Sequence, residues 1–557
     1  MNAQVALFEQ GHRPVFRVLP SRPCWSRVSE PVEYQGGKGS DFAIHVRHLV
    51  DSSPGETIYF AFCYPYSYGD LCAKLAWIDA LFDLPPAQVA LLASDHHKLE
   101  AAAGGSNSLA AAALRAALEA NTATRRDDMK HANETAAASA TFAAASMPSQ
   151  RPLGVYYRRE LLTYSVEGRR IELITITGHR GGARYAEPPL DPPLLPETHR
   201  QRPSFFPKKR VILVTSRVHP GETPASFVVD GLLELLLRAD DPVAIRLRAK
   251  FVFKIIPMLN PDGVYEGRWR SDTLGVNLNR LYAKARQEAQ PSIHAALAVA
   301  RQHHEAGQLL LTMDIHAHAG KRGCFLYGNL PPHWANQQDG LCLDGVLYAR
   351  LLALSSPHLD FDSCVFYAGD GRHDGAPGGS GREALFAATG LPLVFTLECN
   401  YNTGRRVNVL PPQREEQQAS SCEPAPSSAP PSIQRKVASR LRAPTSPAGG
   451  SPSSRRPGGP SPSPLSSAPV VYTPAAWRNV GEGIGRAALD LLAVNPSSRV
   501  PGPSVEEGLD ELRRPLRDWL RMHSVSVAKG KGQDRRAEDS EEEVEEELEV
   551  LVEEEKP

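Results

Sequence analysis

The sequence predicts an α/β fold in which helices cover both faces of a buried sheet, with a small β domain ahead of it and disordered insertions between the folded parts. Three observations predict it. Between residues 170 and 400, five short runs are mostly apolar or β-branched and continuous rather than alternating: Leu173 to Thr177, Val211 to Val214, Phe251 to Ile256, Leu309 to Ile315 and Leu393 to Leu397. Strands that face water on one side alternate, whereas continuous ones are covered on both. Around Trp477 and again around Leu512, apolar residues recur three and four apart, the period of a helix face. Two long stretches hold too little large apolar content to build a core, and the chain divides around them.

Taken in order, residues 1–93 read as an N-terminal β domain. Asp41 to Val50 and Thr57 to Cys63 have strand lengths, and Ser52-Ser53-Pro54-Gly55 between them predicts two strands joined by a short turn. Residues 94–150 shift to Ala, Ser, Asn and Thr, a low-complexity insertion in which His96 and His97 read as solvated. Residues 151–410 hold the five buried strands and form the catalytic unit. Residues 411–470, rich in Pro, Ser and Arg, read as a disordered insertion. Over 471–525, Trp477, Val480, Ile484, Ala487 and Leu491, then Leu509, Leu512, Leu516, Trp519 and Leu520, predict two helices that complete the catalytic unit. Residues 526–557 are dominated by glutamate and read as a solvated acidic tail.

Composition narrows the function. At 557 residues the chain exceeds one ordinary domain, and a net charge of -1 argues against a nucleic-acid binder. The eight cysteines are scattered with no CxxC pair, which fits a reducing compartment and a cytoplasmic protein. No apolar run approaches the roughly 18 residues of a membrane span, and the first residues lack the apolar core of a signal peptide. A membrane partner is therefore not expected.

The chemistry begins at His219-Pro220-Gly221-Glu222, where the Val211 strand turns into a helix. An imidazole and a carboxylate three residues apart can converge on one zinc ion, which in a catalytic site takes three protein ligands. His316 is the third candidate, because it ends a neighbouring apolar strand and strand ends meet in such sheets. Asp314 lies two residues earlier on the same side, and whether it supports a ligand stays open from sequence. A hydrolytic site also needs a base and a cation. Glu398 at the end of Phe395-Thr396-Leu397 is placed to be the base. Arg268, Arg270 and Arg280 supply positive charge, and arginine beside asparagine, as in Asn279-Arg280, can hold a carboxylate. An anion pocket beside a hydrolytic metal points to an exopeptidase.

Together, His219-Pro220-Gly221-Glu222, Asn260-Pro261-Asp262-Gly263, Asn277-Leu278-Asn279-Arg280, Asp314-Ile315-His316 and Thr396-Leu397-Glu398 resemble the zinc carboxypeptidases of the carboxypeptidase A type, in the order found there. The stretches Phe60 to Tyr68, Ser216 to Pro224, His316 to Phe325 and Glu398 to Arg405 are similar to the cytosolic carboxypeptidases within that family. The resemblance covers about residues 5–95, 150–410 and 470–525. It implies a mixed doubly wound sheet of zinc-carboxypeptidase type with a small N-terminal β-sandwich-like domain; the resemblance begins part-way into that domain, so that either its first strands are absent and an edge is exposed, or the first residues pair differently.

The same resemblance implies one zinc ion per chain, held by His219, Glu222 and His316, with Glu398 as general base and then acid. Arg270 would polarise the scissile carbonyl, and Asn279 and Arg280 would bind the terminal carboxylate. Arg382, after Gly378-Gly379-Ser380-Gly381, is the preferred cation for a glutamate side chain; Lys321, Arg322 and Arg405 compete with it. Residues 383–397 contain no tyrosine, so the mobile tyrosine of pancreatic-type enzymes has no counterpart there. The implied activity is removal of glutamate, branch-point glutamates included, from polyglutamylated protein tails, chiefly those of tubulin. The implied protein is a monomer, cytoplasmic, associated with the cytoskeleton and also nuclear. A catalytically weak tubulin-binding protein and a zinc deacylase of small acidic amides are the alternatives.

Overall fold

The computed structural model describes residues 3–35, 43–83, 152–191, 193–199, 201–330, 340–367, 379–414 and 470–529. The insertion expected at 94–150 with its His96 and His97, nearly all of that at 411–470, and the tail beyond residue 529 lie outside the described residues.

After helix α1 (Ala3–Glu9), strands β1 (Val15–Leu19), β2 (Arg22–Arg27), β3 (Glu33–Gln35), β4 (Ala43–His45) and β5 (Thr57–Ala61) form two small antiparallel sheets. One has the order β2-β1-β5 and the other pairs β3 with β4. Both strands expected around Ser53-Pro54-Gly55 are therefore present, but in different sheets, and no hairpin joins them. Local composition marks a strand, whereas its partner is chosen by packing: β5 pairs with β1 so that Phe60 opposes Phe16. The sequence reading also missed α2 (Tyr68–Asp83), whose Leu71, Leu75 and Ile78 lie at helical spacing. They are buried in the core of the large sheet that follows.

That sheet has eight strands. The five expected ones appear as β7 (Arg170–Gly178), β8 (Arg210–Ser216), β9 (Phe251–Ile256), β10 (Leu309–His318) and β13 (Val394–Asn400). To these β6 (Val155–Tyr164), β11 (Cys324–Leu330) and β12 (Val365–Tyr367) add the edges, in the order β12-β11-β13-β10-β8-β9-β7-β6. The four central strands β13, β10, β8 and β9 are parallel, while β11 against β13 and β7 against β9 are antiparallel. The sheet is thus mixed, and its parallel centre brings the carboxyl ends of β8, β10 and β13 side by side.

The helices of this unit are α3 (Thr223–Leu237), α4 (Pro242–Lys250), α5 (Pro261–Glu266), α6 (Pro291–Glu305), α7 (Gly340–Ser355), α8 (Gly381–Thr389), α9 (Pro474–Leu491) and α10 (Val505–Lys529). One core packs α3, α7 and α9 against Ile212, Val214, Met313, Ile315 and Leu397. The other packs α6 and α8 against Val211, Leu213 and Val394 on the opposite face. Two covered faces explain why these strands read as continuous rather than alternating. The two helices expected after residue 471 form as α9 and α10, and Trp477, Val480, Ile484 and Ala487 are fully buried. Trp477 stacks on Phe227 of α3 and donates its indole N–H to the Asn400 carbonyl (3.2 Å), so α9 closes the sheet beside the end of β13. One turn further along α3, Asp230 pairs with Lys74 of α2 and accepts from the Tyr66 hydroxyl (3.0 Å), docking the N-terminal part. No helix among the described residues is long and apolar enough to cross a membrane.

Candidate active site

The β8–α3 turn carries the first two site residues. Arg217 adopts a left-handed φ of 58°, which turns the chain out of the sheet, and Glu222 occupies the N-cap position of α3. Between them Gly221 lies flat on Trp269, its N–H donating to the Trp269 carbonyl (2.7 Å); a Cβ there would stand 2.5 Å from the indole ring. Only glycine allows that approach. The same contact sets Arg270, the next residue, beside the turn.

His219 Nδ1 lies 2.7 Å from Glu222 Oε1, His316 Nδ1 lies 3.1 Å from Glu222 Oε2, and the two Nδ1 atoms are 3.2 Å apart. Ligands about 2.0–2.1 Å from a tetrahedral zinc stand about 3.3 Å from one another. One ligand atom from each of the three buried residues lies within 4.8 Å of the other two, close enough for all three to share a zinc ion. The outer nitrogens fix the tautomers. His219 Nε2 meets Asn277 Oδ1 (3.2 Å), and His316 Nε2 meets Asp314 Oδ2 (2.9 Å). Both partners accept, so each Nε2 carries a hydrogen and Nδ1 is the nitrogen of each ring that can give a lone pair to a metal, in His316 once its proton is displaced. Asp314 is itself held by the Thr215 hydroxyl (2.6 Å), and Glu222 Oε2 accepts from the Ala317 amide (3.0 Å).

Charge suits the same purpose. Burial, then the Arg270 cation, lowers His219 to about 4, so it is neutral at neutral pH. Burial works against a charged His316 as well, but the Asp314 and Glu222 carboxylates outweigh it and raise its pKa well above the usual histidine range. Glu222 is likewise buried, yet its two histidines hold it well below the ordinary carboxylate value. A site that attracts a proton this strongly between an imidazole and a carboxylate favours a divalent cation there. Arg217 is fully buried, which lowers it to about 10, and it stays cationic.

The remaining candidates fall around this triad. Glu398 is in register with His316 on the neighbouring strand, and Phe325 flanks it on the other side. Arg270 is 6% exposed, with a guanidinium nitrogen 3.9 Å from Glu222. Asn279 and Arg280 lie in a 3-10 turn at Leu278–Arg280, and Asn279 Oδ1 accepts from the Gly381 amide (2.9 Å), tying that turn to the start of α8. The tie also brings Gly381 against Asp314, since a Cβ on Gly381 would stand 3.1 Å from Asp314 Oδ2. Arg382, one residue on, sends its guanidinium to the Gly328 carbonyl (2.7 Å) and Asn329 Oδ1 (2.5 Å). It stands deeper along β11 than Phe325, the residue opposite Glu398. Among its competitors, Arg405 is paired with Asp360 (2.6 Å), and Lys321 lies over the Phe325 ring (4.4 Å).

Sequence reasoning left Asp314 undecided and gave no role to Asn277, Thr215 or Arg217. Asn277 had a signal, since it shares a motif with Asn279. Thr215 is in register with Asp314, a pairing that only the sheet reveals.

Residues 157–309, which include His219, Glu222, Arg270, Asn279 and Arg280, match the zinc carboxypeptidase family model. That stretch is similar to a zinc carboxypeptidase domain, and His219, Glu222 and His316 form a donor set that can hold zinc. More particularly, the chain is similar to cytosolic carboxypeptidase-like protein 5 of Rattus norvegicus, 30% identical over 94% of this chain and 60% of that protein. The Homo sapiens protein of that name is also 30% identical, over 94% of this chain and 57% of its own length. The chain thus spans about three fifths of the length of these curated relatives. A solved metallo-carboxypeptidase from Burkholderia cenocepacia aligns with 88% of this chain and 84% of its own at 16% identity and a TM-score of 0.47.

Proposed function

We propose that this protein is a zinc metallocarboxypeptidase of the cytoplasm that removes glutamate from acidic protein tails, polyglutamylated tubulin and its branch points among them. The observation that carries the reading is the convergence of His219, Glu222 and His316 within 3.2 Å of one another, with Glu398 in register beside His316. When bound there, zinc supplies a Lewis acid for the scissile carbonyl and acidifies the attacking water.

The rest belongs to the chain. Glu398 takes a proton from the water as its oxygen adds to the carbonyl carbon, then passes that proton to the leaving nitrogen as the C–N bond breaks. Arg270, buried and permanently charged, meets the negative charge that develops on the carbonyl oxygen. Asn279 and Arg280 hold the free α-carboxylate of the terminal residue, which limits cleavage to chain ends. Arg382 places a cation further down β11, where a glutamate side chain entering past Thr396 would meet it. A neutral pocket could not offset the desolvation of that carboxylate.

The test compares purified protein on branched glutamyl peptides, linear polyglutamate and acylated amino acids, alongside Glu398→Gln. Glutamate release from the peptides is expected, lowered by about 10²–10⁴ in the variant with zinc retained. Equal release by Glu398→Gln would discard the mechanism; cleavage of acylated amino acids alone would make the protein a deacylase, and no cleavage of any substrate would favour a binding role.

A further inference from the structure

Arg217 is 1% exposed and left-handed at φ 58°, a conformation glycine adopts freely and arginine only where its surroundings hold it. Its guanidinium is placed by that conformation. One terminal nitrogen donates to the Tyr66 carbonyl (3.1 Å) and to Ser226 Oγ (2.8 Å), and the other to the Pro220 carbonyl (2.5 Å). Each acceptor sits on a different piece of the site. Pro220 lies between the two ligands of the turn, Ser226 is in the first turn of α3 that Glu222 caps, and Tyr66 belongs to the N-terminal segment leading into α2. Tyr66 is itself anchored, since its hydroxyl donates to Asp230, which also pairs with Lys74 of α2. A planar fork can hold several acceptors in fixed directions, which the point charge of a lysine cannot.

We propose, resting on the metal-site reading above, that Arg217 is a positioning residue that ties the Pro220 carbonyl to the N-terminal segment and so fixes the spacing of His219 and Glu222 that zinc requires. The N-terminal part thereby becomes a component of the metal centre. An opposing effect makes the proposal testable in sign. The Arg217 charge interacts with Glu222, and a cation so placed repels a divalent metal. Removing the charge with no loss of positioning would tighten zinc binding; loss of positioning weakens it.

The experiment uses the full chain, stripped of metal and titrated with zinc against a fluorescent chelator, as wild type, Arg217→Gly, Arg217→Lys and His316→Ala. Glycine accepts the left-handed backbone, so Arg217→Gly removes the guanidinium alone. Its zinc affinity is expected to fall about 10–100-fold, the range for residues that orient ligands. Excess zinc should restore kcat, and Arg217→Lys should regain part of the affinity. Zinc bound by Arg217→Gly as tightly as by wild type, or more tightly, overturns the proposal. A wild type that binds zinc no better than His316→Ala overturns the metal site itself, so the two failures are distinct. If Arg217→Gly does not fold, Ser226→Ala gives the readout: losing one of three acceptors weakens zinc severalfold, and an unchanged affinity overturns the proposal.

Discussion

Replacing Asp314 by asparagine isolates one charge behind one ligand. Asp314 is 2% exposed, accepts from His316 Nε2 at 2.9 Å and from the Thr215 hydroxyl at 2.6 Å, and so has a partner for each oxygen. Asparagine fits the same volume. With its oxygen toward His316 it keeps the Nε2–H tautomer, and its NH₂ can donate to the threonine hydroxyl in place of the bond lost. What disappears is the charge. A hydrogen bond to a charged group is worth about 1.5–3 kcal/mol and a neutral one about 0.5–1.5, so the ligand loses roughly 1–1.5 kcal/mol, close to tenfold in zinc affinity. Proton competition pulls the other way. His316 is held protonated by Asp314 and Glu222 against the effect of burial, and zinc must displace that proton, so wild-type affinity falls as pH falls through the raised pKa. Asparagine lowers that pKa and lightens the competition. The deficit of Asp314→Asn should therefore be smallest in acid and grow toward tenfold as pH rises. Zinc titration against a fluorescent chelator from pH 6 to 9 measures it. A deficit that shrinks with rising pH, or none at the alkaline end, would refute the role given to Asp314.

Three further outcomes follow from other parts of the structure. Arg382→Ala should lower kcat/KM on glutamate-ended peptides by about 30-fold or more, the loss expected when a charged partner is removed from a partly buried site, with little change on leucine-ended ones; an equal loss on both would reduce Arg382 to its bonds with Gly328 and Asn329. Gly481→Ala should destabilise the fold, because a Cβ there would stand 1.9 Å from the Val228 carbonyl of α3 and backbone cannot rotate aside. Forcing α9 away from α3 costs about 1–3 kcal/mol, seen as a lower denaturation midpoint, and an unchanged midpoint would contradict the close helix crossing. Chelation of the metal should lower the melting temperature of wild type, since a ligand present at about a thousand times its Kd stabilises by about 4 kcal/mol, whereas His316→Ala should show a much smaller shift.

Parts of this molecule could be read without coordinates because their residues declare a chemistry. Histidine and glutamate are rare at or just after the ends of apolar strands, which is what marks His219, Glu222, His316 and Glu398 in the sequence. The five central strands were equally plain, since burial on both faces leaves a continuous apolar run. Where partners are chosen by tertiary packing, the reading stopped short: β4 and β5 were found as strands and given the wrong neighbours, and α2 was overlooked although Leu71, Leu75 and Ile78 have its period.

The residues that hold the ligands illustrate the limit most directly. Asn277, Thr215 and Arg217 are ordinary types in ordinary places, and nothing about an asparagine in a loop or a threonine in a strand announces a second role. Asp314 becomes a ligand's support only because β8 and β10 pair with Thr215 opposite it. Arg217 acts only because Tyr66, 151 positions earlier, lies within reach. In the proposed metal site the three ligands would select the class of metal, and these outer contacts would fix the distances at which it binds. In a chain that pairs its catalytic unit with an N-terminal partner, that second task is shared across both. Substitutions at the Arg217–Tyr66 junction should for that reason alter zinc affinity before they alter the chemistry of Glu398.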